Sequence, residues 1–383
     1  MTAVPTRPVV VTGLGLVSCA GEGVEAHLAA YRSAQAPRTD ATTFAPYPVH
    51  PVAPLSLDGQ ISKKSDQRQM EPWQRLGVYA AGLALDAAGA KADAALKSAM
   101  HLVVAAGGGE RDYAVDGQIL TGLRQAADPG AYLNERLQND LRPTLFLAQL
   151  SNLLAGNIAI VHGVTGASRT FMGEESSGVD ALRIAQARIA AGQLDIVLVG
   201  GSYNAERADV LLIHEMGGHL CKPEYRPVFE RAAAPGFILG SGAAFLMLEA
   251  ADHAAARGAR ALARLDAVAS DRTKRRDGSV ADSLTDLWRR AGLARPDAVI
   301  SAATGCAGIT GEERDALTAL APQAPVRALG DLTGHTLEAA APFGAALAAA
   351  LVAAGEAREV AVTAVGHRRG EGVLRLTTAG DSR

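Results

Sequence analysis

Strand-forming and helix-forming segments alternate along this chain of 383 residues, and the alternation runs through twice. The first passage opens with the β-branched run Pro8 to Thr12, read as a strand that ends in a turn at Gly13-Leu14-Gly15. Trp73 to Gly89 carries Leu76, Tyr79, Ala80, Leu83 and Ala87 at helical spacing. Leu102 to Ala106 is a short apolar strand stopped by three glycines, and Asn157 to Val161 reads as another strand. Ser176 to Ala191 predicts a helix with Val179, Leu182, Ala185 and Ile189 on one side, ended by Gly192. Asp195 to Gly201 follows as a buried strand, and Phe237 to Glu249, apolar with Gly240 and Gly242 inside, as a central one.

Beyond residue 250 the order starts again. Strands are expected at Ala261 to Ala269 and Ala298 to Ala302, and near Glu359 to Ala364 and Gly372 to Thr377. Helices are expected around Ser283 to Gly292 and Glu312 to Leu320, followed by an alanine-rich helix. Such alternation implies parallel sheets covered on both faces. The expected architecture is therefore an internally duplicated α/β fold, with one half over residues 1–250 and another over 251–383. Residues of about 108–150 are polar and aperiodic, and read as an irregular insertion.

Bulk properties exclude several function classes. A net charge of −3 and 4% aromatic residues leave no basic patch or stacking platform for nucleic acid, and no footprint for an anionic membrane. Cys19, Cys221 and Cys306 are far apart and form no CxxC pair, which argues against disulfides and zinc and for a reduced, cytoplasmic setting. Gly13 and Gly15 interrupt the first apolar run too early for a signal peptide. The uncharged stretch Ala339 to Gly355 is shorter than the roughly 20 residues a bilayer span needs, and is expected to be a buried helix.

Several segments together resemble the β-ketoacyl synthases of fatty-acid and polyketide assembly. They are the opening Val9 to Ser18, Asn152 to Ile160 (similar to the segment that pairs across the family's dimer), and Ile189 to Gly201. Arg226-Pro227-Val228-Phe229, Gly236 to Ala243 and Thr333-Gly334-His335 resemble further family signatures, in the same order along the chain. The resemblance implies a thiolase-like fold, duplicated into a five-layer α/β/α/β/α architecture.

The family's catalytic positions are altered. Gly173-Glu174-Glu175-Ser176-Ser177-Gly178 stands where the family has its nucleophilic cysteine, so the resemblance puts Glu175 at that position. It puts Ala303 at the first catalytic histidine and Gly330 at the lysine, and leaves His335 as the second histidine. Ser241 replaces a family glutamate, and the glycine-rich C-terminal loop reads Val365-Gly-His-Arg-Arg-Gly-Glu371. A carboxylate is a far poorer nucleophile towards a thioester than a thiolate at a helix N-terminus. Ala303 offers no hydrogen-bond donor to an enolate, and losing one such donor costs about 10²–10³ in rate.

Condensation by this chain alone is therefore not expected. Ser176 and Ser177 are turned roughly 100° and 200° around the helix from Glu175, and Cys306 reads as a small core cysteine, with a pocket-facing thiol as its alternative. Glu175 itself has two readings, a first-turn carboxylate serving the helix dipole or a filler of the emptied nucleophile pocket, bonded to backbone amides. His335 either contacts substrate or anchors the helix after it.

The family includes chain-length factors, which keep the fold, lack the cysteine and pair with an active ketosynthase; many carry glutamine at that position. The resemblance thus implies a non-condensing subunit, with a ketosynthase as heterodimer partner, an acyl carrier protein docking nearby, and no cofactor or metal. The run Arg272, Lys274, Arg275, Arg276 reads as a solvated loop or a carrier contact. Arg368 and Arg369, at the family's gating loop, disfavour passage of an apolar chain. The alternatives are a malonyl-carrier decarboxylase using Glu175 and His335, and an acyl-carrier or lipid-binding protein acting alone.

Overall fold

The structure is a computed structural model; it describes residues 6–380 apart from 34, 110, 141–146, 148, 223 and 273. Its backbone is one eleven-stranded mixed sheet; ten strands read as two five-stranded halves, and the eleventh, the two-residue strand Gly21–Glu22, folds back on the end of the first strand. The first half contains β1 (Val9–Ser18), β2 (His101–Ala106), β3 (Ser168–Phe171), β4 (Ile196–Tyr203) and β5 (Gly242–Ala250). The second contains β6 (Ala263–Asp271), β7 (Ala298–Ser301), β8 (Val326–Ala328), β9 (Glu359–Val365) and β10 (Glu371–Thr377). Across the sheet the first half runs β3-β2-β4-β5-β1 and the second β8-β7-β9-β10-β6, the same order counted from each half's first strand. The halves join where β1 meets β6, antiparallel, at Val10 opposite Arg264 and Val11 opposite Ala263.

Neither half is wholly parallel, contrary to the expectation from alternation. β2 is parallel to β3 and β4, and β7 to β8 and β9. The last strand of each half is antiparallel to both of its neighbours. β10 follows β9 through a loop of five residues, too short for a crossover, while the segment from β4 to β5 contains the helix α6 (Ala208–Met216) and still returns antiparallel to β4.

Strand alternation sorts side chains into three cores. In β9, Val360, Val362 and Ala364 face a central core, while Ala361 and Val365 face an outer one. The central core holds the helices α5 (Glu175–Ala190) and α9 (Ala340–Ala353) between the two halves of the sheet. α1 (Pro72–Ala87) and α4 (Leu153–His162) cover the outside of the first half, with Tyr79, Leu85, Leu154 and Ile158 in its core. α7 (Ser279–Arg290) and α8 (Ile309–Leu320) cover the second through Leu284, Trp288 and Leu317. Helix, sheet, helix, sheet and helix make five layers. α9 buries every residue from Ala340 to Val352, which is why its sequence is apolar all round. Among the described residues no helix is long and apolar enough to cross a membrane.

Three local expectations are corrected. Gly13 and Gly15 do not form a turn; β1 continues through them to Ser18, with a register shift between Val11 and Gly13. They are glycines because helix α1 lies on the strand: a Cβ on Gly15 would sit 1.9 Å from the Ala80 carbonyl oxygen. Asn157 to Val161 is not a strand but the second half of α4, capped by Gly163 at φ 75. Its apolar run is short enough to suit either structure, and packing of Leu154, Ala155 and Ile158 against α1 decides for helix. Over its described residues the insertion is not irregular either: it contains α2 (Tyr113–Leu123) and α3 (Pro129–Asn139), with the Asp112 and Asp128 side chains accepting from the first-turn amides of Val115 and Ala131, while 110, 141–146 and 148 lie outside the described residues.

Candidate functional site

Helix α5 starts from a tight turn in which Gly173 has φ 129 and Glu174 φ 60. A non-glycine residue at positive φ is a strained feature. Here the turn is tied by Ser177 Oγ, which donates to the Glu174 carbonyl at 2.7 Å, and by Ser176 Oγ, which donates to that of Gly173 at 3.0 Å. Both serines thus serve the turn, and the side chain it drives inward is that of Glu175, 1% exposed.

Glu175 Oε1 accepts hydrogen bonds from His335 Nε2 at 2.8 Å and from His367 Nδ1 at 2.8 Å. The only amide near it is that of His367, at 3.4 Å, so imidazoles and not helix amides satisfy the carboxylate among the described residues. Burial works most strongly against its charge, but the two histidines outweigh burial and hold Glu175 well below the usual carboxylate range. Burial also opposes charge on His367; the bond to Glu175 outweighs it, and the imidazole pKa is raised. Glu175 Oε2 and His367 Nε2 are buried without hydrogen-bond partners.

Each histidine is held by backbone. His335 N donates to the Ile238 carbonyl at 2.8 Å and its own carbonyl accepts from Gly240 at 3.0 Å, locking it to the short strand Leu239–Gly240. His367 sits on the loop between β9 and β10, where Arg275 donates to the Gly366 carbonyl at 2.7 Å and to Glu371 at 2.8 Å. Arg272 pairs with Asp180. Two members of the basic run are therefore structural, and one of them positions His367.

Phe237 packs against both rings, with centres 4.8 Å from His335 and 5.5 Å from His367. His214 and His219 complete the group at 5.6 Å and 4.8 Å from His367. Burial, then the neighbouring imidazoles, depress His214 to about 3. Burial lowers His219 as well.

Beside this group lies a cavity of about 290 Å³ whose lining includes Trp73, Gly107, Glu174, Tyr203, His214 and Glu338. Burial raises the Glu338 carboxyl to about 7, with the charges of Glu175 and Glu174 adding to the shift. Gly107 leaves room for it, since a Cβ there would be 2.8 Å from Glu338 Oε1. One ionised carboxylate and one carboxyl poised to gain or lose its proton near neutral pH, set apart by environment, are the ingredients of an acid–base pair.

Of the residues singled out from sequence, Glu175 and His335 meet. Ala303 is buried in a small cluster with Val228 and Ala328. A Cβ on Gly330 would touch Val228 at 2.9 Å and approach the Ala303 carbonyl at 3.9 Å. Ser241 Oγ accepts from the Ala205 amide at 3.0 Å. Cys306 lies in an apolar cluster with Phe237 and Leu337, and burial pushes its thiol up to about 11. No cysteine among the described residues bonds to an imidazole. Sequence reasoning missed His367, His214, His219 and Glu338. The one signal for His367 was a histidine in a loop where glycines were expected.

A family model described as β-ketoacyl synthase, N-terminal domain, matches residues 6–254. The 3-oxoacyl-[acyl-carrier-protein] synthase 2 of Rhizobium meliloti (strain 1021) is 27% identical over 280 residues, covering 68% of this chain and 63% of that protein. The tetracenomycin polyketide synthase ketoacyl synthase beta subunit of Streptomyces glaucescens is 29% identical over 266 residues, 66% of this chain and 60% of that protein. The matches thus span less than two thirds of these relatives' own length. Among solved structures, the ishigamide ketosynthase/chain length factor superposes with a TM-score of 0.81 at 22% identity, covering 98% of this chain and 100% of that one.

Proposed function

The chain belongs to the β-ketoacyl synthase family, and from that premise we propose that it is a non-condensing, chain-length-factor-like subunit of a type II polyketide or fatty-acid system. In this reading it pairs with a ketosynthase that carries its own cysteine, and the pair receives chains from an acyl carrier protein. The observation that carries it is the clamped carboxylate: Glu175 fills the head of α5 and both neighbouring imidazoles bond to it at 2.8 Å. An acyl thioester has no thiolate to attack it there, and the imidazoles that could serve an enolate are occupied.

The edge of the sheet supports pairing. β3 is the last strand of the first half, with Met172 beside it 63% exposed and Ile160 on α4 73% exposed. An open edge with apolar side chains invites another chain. The test is coexpression with a cysteine-bearing ketosynthase. The expected result is a heterodimer that elongates carrier-bound chains; a chain that remains homodimeric beside every such ketosynthase would sink the reading.

A second reading has its own observation in favour. His367 supplies an imidazole that Ala303 does not, so Glu175, His335 and His367 together resemble a decarboxylating site for malonyl-carrier substrates. Acetyl formation from malonyl-carrier protein that is equal in the wild type and His335→Ala would end this proposal.

A further inference from the structure

We propose that His367 and Glu174, backed by Glu175, form a binding site for a divalent metal cation of borderline softness, with zinc as the ion to test. His367 gives its Nδ1 proton to Glu175 at 2.8 Å, so its other nitrogen is left as the free position of the ring. That nitrogen, Nε2, belongs to a side chain with 0% exposure and has no hydrogen-bond partner. Glu174 Oε1 lies 3.6 Å from it. This is too long for a hydrogen bond. It is close to the separation of about 3.4 Å that two ligands adopt on a tetrahedral zinc bound at about 2.1 Å to each.

Three further observations fit. A carboxylate that accepts the far N–H of a ligating histidine is the usual outer support of such a site, and Glu175 already makes that bond. Ligand atoms of Glu174, Glu175 and His367 all lie within 4.8 Å of one another, and Glu175 Oε2 is itself buried and unpartnered. The ring of His219 is centred 4.8 Å from that of His367, and two imidazoles on one tetrahedral zinc have centres about 5 Å apart. Access is open, because Glu174 lines the cavity of about 290 Å³ and is partly exposed. Water reaching that cavity can complete the coordination. The Arg368 guanidinium, 3.6 Å from Glu174 Oε1 and 53% exposed, is the group a cation would displace.

The rival arrangement is an imidazolium at His367 held between two carboxylates with no affinity for metal. The proposal does not depend on the pairing with a ketosynthase, so its failure leaves that reading untouched. The test is titration calorimetry of the full-length, chelator-stripped protein with zinc chloride near neutral pH. One equivalent is expected to bind with micromolar or tighter affinity. Glu174→Gln and His367→Ala are each expected to weaken it by about tenfold or more. Glu174→Gln is the decisive variant: the residue is partly exposed and, among the described residues, its side chain makes only the two long ion pairs, so the change leaves folding intact. No binding by the wild type overturns the proposal. So does a Glu174→Gln variant that binds with less than about a tenfold loss.

Discussion

The Oε1 atom of Glu175 lies 2.8 Å from Nε2 of His335, although 160 positions separate the two residues in the chain. The same oxygen binds His367, 192 positions away, so a single buried carboxylate ties the head of α5 to two remote loops. Removing one partner of a buried ionic group leaves the others uncompensated, at a cost of about 3–5 kcal/mol. Glu175→Ala is expected to lose that much stability in denaturant unfolding. Glu175→Gln, which keeps the shape and one acceptor, is expected to lose about 1–3 kcal/mol. An alanine variant as stable as the wild type would show that the clamp contributes nothing.

Glu338 makes stability depend on pH in a defined direction. Its carboxyl titrates at about 7 in the folded chain, against an ordinary value of 4.5. Between those values the folded state keeps a proton that the unfolded state has released, so this group makes stability fall as pH rises. Glu338→Gln removes the effect. The variant's gain over the wild type is expected to grow from near zero below pH 4.5 to about 3 kcal/mol above pH 7. Parallel stability profiles for the two proteins across that range would contradict the assignment.

Gly15 is held by backbone rather than by side chains. A Cβ there would sit 1.9 Å from the Ala80 carbonyl oxygen and 2.7 Å from the Ala84 amide nitrogen, neither of which can rotate away. Gly15→Ala is expected to cost about 3 kcal/mol or more, beyond the ordinary range for overpacking. A melting temperature within a degree or so of wild type would mean that α1 shifts freely on β1.

The pairing reading predicts a surface effect without a folding effect. Ile160→Asp combined with Met172→Asp places two charges beside the open edge of β3. Coexpressed with a ketosynthase, this variant is expected to fail to copurify, while its stability stays within about 0.5 kcal/mol per substitution of wild type. Undiminished copurification would place the partner on another face.

Much of the fold was legible because its signals are local. The buried strands at Leu102 to Ala106 and Ala298 to Ala302, and the helices at Trp73 to Gly89 and Ser176 to Ala191, each announce themselves by a period within a dozen residues. Where reading failed, the competing signal was not local. Gly13 and Gly15 mark a turn in isolation, and only the helix lying on them makes them strand residues. Asn157 to Val161 suits strand and helix equally until α1 is beside it.

The candidate site divides in the same way. Glu175 and His335 were found from short motifs that carry chemistry in their own neighbourhood. His367, His214, His219 and Glu338 were missed, because a lone histidine or glutamate carries no sign of what will surround it.

The sequence by itself determined the alternating elements, the apolar helix at the centre and a glutamate at the start of α5, since periodicity and residue type are properties of adjacent positions. The tertiary structure alone decided that this glutamate would be shut away from water and bonded to two imidazoles from distant loops. Its charge, its partners and the room left around it arise from low-dielectric packing among segments far apart in the chain.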